Sequence, residues 1–333
     1  MEFLNDYGLF LAKAVTIVIA IAAVAMVLAT LAGRGRGPRG GREALEVRRL
    51  NERYRDMGRR IERTLARGRR DRRRLARREK HDTPRRGRGE ARLPRLYVLD
   101  FEGDLRASAV ESLREEVSAV LRNARSDDEV LVRLESGGGT VPSYGLAASQ
   151  LARLRDKGIR VTICVDRVAA SGGYLMAAVA DHLVAAPFAV IGSIGVVAQL
   201  PNLHRLLKRH DIDYELHTAG EHKRTLTVFG ENTDAGREKF REELDAVHDL
   251  FKQHLARYRP ALDLPRVATG EFWLGSRARE LDLVDAVGTS DDLLLERGER
   301  MDLVHLRWRR HEPLGRRLSL VLESVLARIR TSY

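Results

Sequence analysis

The sequence is poor in cysteine, in aromatic residues and in metal-binding patterns, and each shortage removes a class of function. A single cysteine, Cys164, in 333 residues excludes any intramolecular disulfide. It lies in the apolar run Val161-Thr162-Ile163-Cys164-Val165, so it reads as a core residue and not as a reactive thiol. Ten histidines are scattered along the chain, with no H-E-x-x-H helix and no Cys/His cluster at ligand spacing, which disfavours a metalloenzyme. Aromatics are only 5% of residues, and no base-stacking pattern or recognised nucleic-acid module accompanies the arginines, which argues against a nucleic-acid partner despite a net charge of +12. Acidic residues are scarce in one place. From Arg34 to Arg95 there are 25 Lys and Arg against nine Asp and Glu, a balance of +16, so the remainder of the chain is about −4. The basic excess belongs to one segment.

Residues 14–32 read AVTIVIAIAAVAMVLATLA, nineteen positions without a charge. As a helix they would span roughly 28 Å, close to the hydrocarbon thickness of a bilayer. A cleaved signal peptide would have a shorter apolar region after a basic start, whereas this chain begins with Glu2 and Asp6. An uncleaved anchor over residues 1–33 in a bacterial inner membrane is expected. The arginines crowding its C-terminal flank, Arg34, Arg36, Arg39 and Arg42 among them, place the body of the protein on the cytoplasmic side by the positive-inside rule. Residues 34–95 are expected to form a basic stalk and linker. Leu45, Leu50, Tyr54, Met57, Ile61 and Leu65 recur there at roughly helical spacing, and the charge suits anionic lipid heads.

From Leu96 the pattern alternates strands and helices, which predicts an α/β domain with parallel strands over 96–290. Strands are expected at 96–101, 130–134, 160–165, 182–186 and 194–198, and helices at 109–123, 144–156, 172–180, 235–257 and 276–281. Residues 291–333 read as a C-terminal amphipathic tail. Leu318, Val321, Leu322, Val325 and Ile329 sit there at helical spacing, suited to a membrane surface, a subunit contact or packing.

Three short motifs can hold chemistry. Glu135-Ser136-Gly137-Gly138-Gly139 follows a strand. Ala169-Ala170-Ser171-Gly172-Gly173-Tyr174 lies between a strand and a helix. Gly220-Glu221-His222-Lys223 lies in a polar stretch. Gly172 and Gly173 permit close backbone approach, and the following helix would favour negative charge beside Ser171; a plain N-cap serine fits the same pattern. The triple glycine could aim N–H groups at an oxyanion from Gly138, with Gly172 as second donor, or could be a tight turn. A free lysine is only about 0.04% neutral at pH 7, so Lys223 acts as a base only if burial lowers its pKa. Asp166 and Asp181 flank the serine region and read as solvated element ends, and Trp273 and Trp308 as core or interface residues.

Together, ESGGG, VAASGGY and GEHK, with Lys223 52 positions after Ser171 (223 − 171), resemble the signal peptide peptidase A family, and within it the SohB branch. The resemblance implies a fold like that of ClpP and crotonase, a spiral of β-β-α units. It implies a serine endopeptidase with Ser171 as nucleophile, Lys223 as base, and Ser193 of Gly192-Ser193-Ile194-Gly195 orienting the lysine amine. It implies no metal or organic cofactor, peptide or membrane-protein substrates such as remnant signal peptides, and a homo-oligomeric ring or dome in which the base comes from the adjacent protomer. Family members of the signal peptide peptidase A type are usually placed outside the cytoplasm, opposite to the side the arginine flank favours. Two departures stand out. The family's Ser-Pro-Gly-Gly loop has Gly137 in place of proline, and Leu226-Thr227 replaces a Ser-Pro after the lysine. A catalytically inactive membrane scaffold and a crotonase-type acyl-CoA enzyme are the competing classes. The intact Ser171, Lys223 and Ser193 set argues against the first, and the anchor with the serine–lysine pair argues against the second.

Overall fold

Runs of branched apolar residues separated by amphipathic stretches can bury both faces of a sheet only if helices cover each side, and the chain takes that form. The computed structural model describes residues 44–66, 92–220 and 222–309, with positions 13, 16, 68, 70, 71, 74 and 75. Leu45–Arg309 is one compact unit. The other unit, 1–44 with 310–333, lies almost wholly outside the described residues.

The main strands are β1 (Ala44–Arg49), β2 (Arg95–Gly103), β3 (Glu129–Ser136), β4 (Arg160–Val165), β6 (His182–Ala185), β9 (Ala286–Val287) and β10 (Asp302–Arg309), in spatial order β1-β10-β2-β3-β4-β6-β9. β10, β2, β3, β4, β6 and β9 run parallel in succession. Two short strands, β5 (Val168–Ala170) and β7 (Val190–Gly192), branch off from β3, and β8 (Phe272–Leu274) closes the branch antiparallel to β7.

Alternation sorts the strand side chains into two cores. Tyr97, Leu99 and Phe101 face a large cluster shared with helices α2 (Val110–Asn123), α3 (Val141–Asp156), α4 (Gly172–Ala177) and α6 (Asp234–Tyr258). Leu96 and Val98 face a smaller one with Leu50 of α1 (Leu50–Leu65) and Leu294 of α9 (Ser290–Gly298). The remaining helices are short: α5 (His204–Arg209), α7 (Leu264–Val267) and α8 (Gly275–Glu280). Asp100 ties three strands together, accepting from Arg133 Nε at 2.6 Å and from His305 Nε2 at 2.9 Å. Burial would raise its pKa, but the bonds from His305 and Arg133 prevail and hold it down at about 2.

The expected strands through Ala186, and helices α2, α3, α4, α6 and α8, are found within a few residues of their expected bounds. One expected strand is not. Residues 194–198 have no regular structure, and the strand lies just before them, at Val190–Gly192. Gly192 and Ser193 take φ of 108° and 51°, which no extended strand can continue through. The sheet also reaches past both expected ends, 96 and 290. β1 and β10 add to it beyond β2, Arg309 Nε donates to Glu46 at 2.7 Å, and Leu303 is fully buried. Within the expected helical stalk, Ala44–Arg49 is therefore strand and Leu50–Leu65 is helix. Among the described residues no helix is long and apolar enough to cross a membrane. The expected anchor at 14–32, Thr16 apart, and the tail helix at 314–329 lie outside the described residues.

Candidate active site

Ser171 sits on the one-residue turn between β5 and α4. Its backbone has φ 52° and ψ −119°, a left-handed conformation costing on the order of 1–3 kcal/mol for a residue with a Cβ. The turn is held by two backbone bonds: Ser171 N–H donates to Gly192 O at 2.8 Å, and Leu175 N–H donates to Ser171 O at 3.0 Å. The Ser171 side chain makes no capping bond to the helix it precedes. That separates it from an ordinary N-cap serine, whose oxygen accepts from the first turn. A strained strand-to-helix turn with an uncommitted hydroxyl is the geometry that presents a nucleophile.

The glycines around it are there for clearance. A Cβ on Gly172 would lie 2.5 Å from the Tyr144 ring. One on Gly138, which has φ 90°, would lie 2.8 Å from Ala170 O, Gly172 N and Ser171 Cβ. The triple-glycine loop thus packs directly on the serine turn. It is anchored by a chain of hydrogen bonds: Gly138 N–H donates to Ser136 Oγ at 3.1 Å, Ser136 Oγ meets Tyr144 Oη at 2.5 Å, and Tyr144 Oη donates to Asp104 O at 2.8 Å. Because the single Tyr144 proton goes to Asp104, Ser136 is the donor to Tyr144, and every group in the chain is satisfied. Gly138 is therefore placed against the serine with its own N–H directed at Ser136. Gly172, the first residue of α4, has an N–H that no carbonyl within the helix can accept.

Ser171, Gly172 and Gly139 open onto a cavity of about 520 Å³. Its far wall is α6, which presents Val247, Leu250, Phe251 and His254 at helical spacing, with Arg257 one turn on. Val141, Leu175, Val196 and Val197 complete an apolar lining. His254 Nε2 donates to Leu175 O at 2.9 Å, and burial lowers its pKa, so its ring is held neutral with Nδ1 as acceptor. Among the described residues no group of His, Cys, Asp and Glu could hold a metal ion.

Residues 2–151 match the profile of the peptidase family S49 N-terminal region, and residues 153–303 match that of peptidase family S49 itself. The chain is 59% identical over 214 residues to a probable protease SohB of Haemophilus influenzae, 64% of this chain and 61% of that one. It is 50% identical over 232 residues to a probable protease SohB of Buchnera aphidicola subsp. Schizaphis graminum, 69% of this chain and 68% of that one. The chain belongs to peptidase family S49. Its resemblance to the SohB type holds over most of its length, while spanning just 61% of the Haemophilus relative.

In this S49 chain the other expected site residues lie near and far. Ser193 follows Gly192, the residue that accepts the Ser171 N–H, and its own N–H donates to Glu271 O at 2.6 Å. Trp273 packs on Gly192 from β8, so it supports the serine turn from behind. Lys223 is exposed in the segment between α5 and α6, and it is not among the residues lining the cavity. Asp166 and Asp181, read as solvated ends, have structural partners. Asp166 accepts from Ser290 N–H and Oγ–H at 2.8 and 2.6 Å, and Asp181 accepts from Val161 N–H at 2.8 Å and pairs with Arg155. The cavity wall of α6 was missed from sequence, although Val247, Leu250, Phe251 and His254 follow the i, i+3, i+4, i+7 rule that marks a helix face.

Proposed function

We propose that the protein hydrolyses peptide bonds as a membrane-anchored serine endopeptidase, with Ser171 as nucleophile and Lys223 as general base. The observation that carries this reading is the strained Ser171, its hydroxyl uncommitted, at the mouth of the apolar cavity. Neutral Lys223 Nζ takes the Ser171 proton as Oγ adds to the substrate carbonyl carbon. The tetrahedral oxyanion is met by the Gly172 N–H, and the Gly138 N–H, which donates to Ser136 Oγ in the free chain, joins it only by leaving that bond when substrate binds. Collapse breaks the C–N bond, the lysine ammonium gives its proton to the leaving amine, and water, deprotonated by the same amine, then releases the acyl group. Ser193 orients the amine, and no cofactor enters any step. The branched sheet is read as the ClpP/crotonase spiral of this family.

Lys223 needs a dry neighbourhood to lose its proton, and a second copy of the chain can supply one. The segment around it exposes Ile212, Tyr214, Leu216 and Phe229, and Val197 at the cavity rim is 81% exposed. Apolar surface of that extent favours a partner. In a ring or dome the lysine of one copy would meet the serine of the next, and desolvation would lower its pKa. Residues 14–32 anchor the assembly in the bilayer, and peptides or membrane-protein fragments, remnant signal peptides among them, are the substrates.

A serine-directed acylating probe tests this. Wild-type protein is expected to label at Ser171, and Ser171→Ala and Lys223→Ala to lose labelling and peptidase activity by on the order of 10³-fold or more, with unchanged thermal unfolding. Equal labelling of all three proteins would favour an inactive scaffold.

A further inference from the structure

Far along the sheet from the serine, at the end where β2 and β10 begin, four arginines line one small pocket. Arg49 ends β1, Arg92 and Arg95 lead into β2, and Arg125 follows α2. Together with Asp302, the first residue of β10, they enclose about 160 Å³, more than ten times the ~10–15 Å³ that one water needs. We propose that this pocket binds a phosphate group.

One arginine is built in and the others are available. The Arg95 guanidinium is fixed by Asp128 Oδ2 at 2.6 Å and by Asn123 O at 2.7 Å, and it lies 5.2 Å from the centre of the Tyr97 ring. The side chains of Arg92 and Arg125 have no carboxylate partner among the described residues, because the Asp128 contact of Arg125 is made by its backbone N–H. Arg49 meets Glu52 only at 3.5 Å, between two exposed groups, a pairing worth little. Four guanidinium groups share this concavity with a single lining carboxylate, Asp302, and the excess of positive charge favours a further anion between them. The planar fork of arginine matches the oxygens of phosphate two at a time.

A second observation points the same way. Tyr97, 4% exposed, has a buried hydroxyl with no hydrogen-bond partner among the described residues. Val304, its register neighbour on β10, lines the pocket. Burial raises the Tyr97 pKa, and the nearby charges of Arg95 and Arg125 act against that rise. Buried hydroxyls without partners are uncommon in proteins, and this one lies beneath the pocket, with the lining residue Arg95 over its ring, and not in the lining itself. The chemistry is shared by free phosphate and by the headgroup of an anionic phospholipid.

The test uses the full chain in neutral detergent micelles. Its unfolding midpoint is followed against inorganic phosphate at matched ionic strength in chloride, and separately against micelles doped with phosphatidylglycerol. A ligand that binds the folded state raises the midpoint. A rise with phosphate identifies a soluble ligand, and a rise with the doped micelles alone identifies a headgroup. In either case the Arg92→Gln/Arg125→Gln double variant, which leaves the Arg95–Asp128 bridge intact, is expected to weaken binding about tenfold or more. No rise with either ligand, or the same rise in wild type and the double variant, would overturn the proposal.

Discussion

Glu116 has one carboxylate oxygen with a donor and one without. Oε1 accepts from Trp308 N–H at 2.7 Å, while Oε2 is buried and has no partner among the described residues. Burial is the main cause that pushes its pKa up from 4.5 to about 7, with Asp100 adding to it. The folded chain therefore holds this proton more tightly than the unfolded chain does. The stabilising effect is complete below about pH 4.5 and is lost as pH rises towards 7, at a cost of up to roughly 3 kcal/mol. His254 works in the opposite direction, since its lowered pKa costs stability as pH falls through about 6.5. Glu116→Gln keeps the acceptor for Trp308 and removes the charge. It is expected to raise the melting temperature by several degrees at pH 8 and to leave it unchanged at pH 4, measured by thermal unfolding. At the same scale Ser171 shows what one residue can tell in advance. The motif around it suggested either a nucleophile or a cap, and only the backbone angles and the uncommitted hydroxyl separate the two.

At the scale of elements, the serine turn depends on the loop after β3 and on the start of α3. Tyr144 joins them, its ring against Gly172 and its hydroxyl between Ser136 and Asp104. Tyr144→Phe leaves Asp104 O without its donor and Ser136 Oγ without its acceptor. A loss of about 1–3 kcal/mol in thermal unfolding is expected, together with a lower rate of probe labelling at Ser171 as the Gly138 loop loosens. These elements were legible where apolar residues repeat without interruption, as in β2, β3, β4, α2 and α6. They were not legible where charge breaks the pattern. β1 reads Ala-Leu-Glu-Val-Arg-Arg and β10 ends Arg-Trp-Arg, and both look like parts of a solvated stalk or tail because the outermost strand and its neighbour keep several charged side chains in water. β5 is three residues long, too short for any periodicity to register. The misplaced strand at 194–198 follows from Ile194. It is fully buried but stands after two residues in left-handed conformations, which residue type alone does not announce at Ser193.

For the whole molecule, the serine side of the candidate site was readable from local motifs, whereas the cavity wall on α6 comes from residues some eighty positions later and emerges only on folding. The role proposed for Lys223 rests on family resemblance, since in a single chain its side chain is exposed and does not line the cavity. An account in which one copy supplies Ser171 and the next supplies Lys223 makes a sharp demand on mixtures. Ser171→Ala and Lys223→Ala proteins are each expected to be inactive. Dissociated, combined in equal amounts and reassembled, they should recover about a quarter of wild-type peptidase activity, because random placement in a closed ring pairs an intact serine with an intact neighbouring lysine at one site in four. Activity no higher than that of either variant alone would contradict the account.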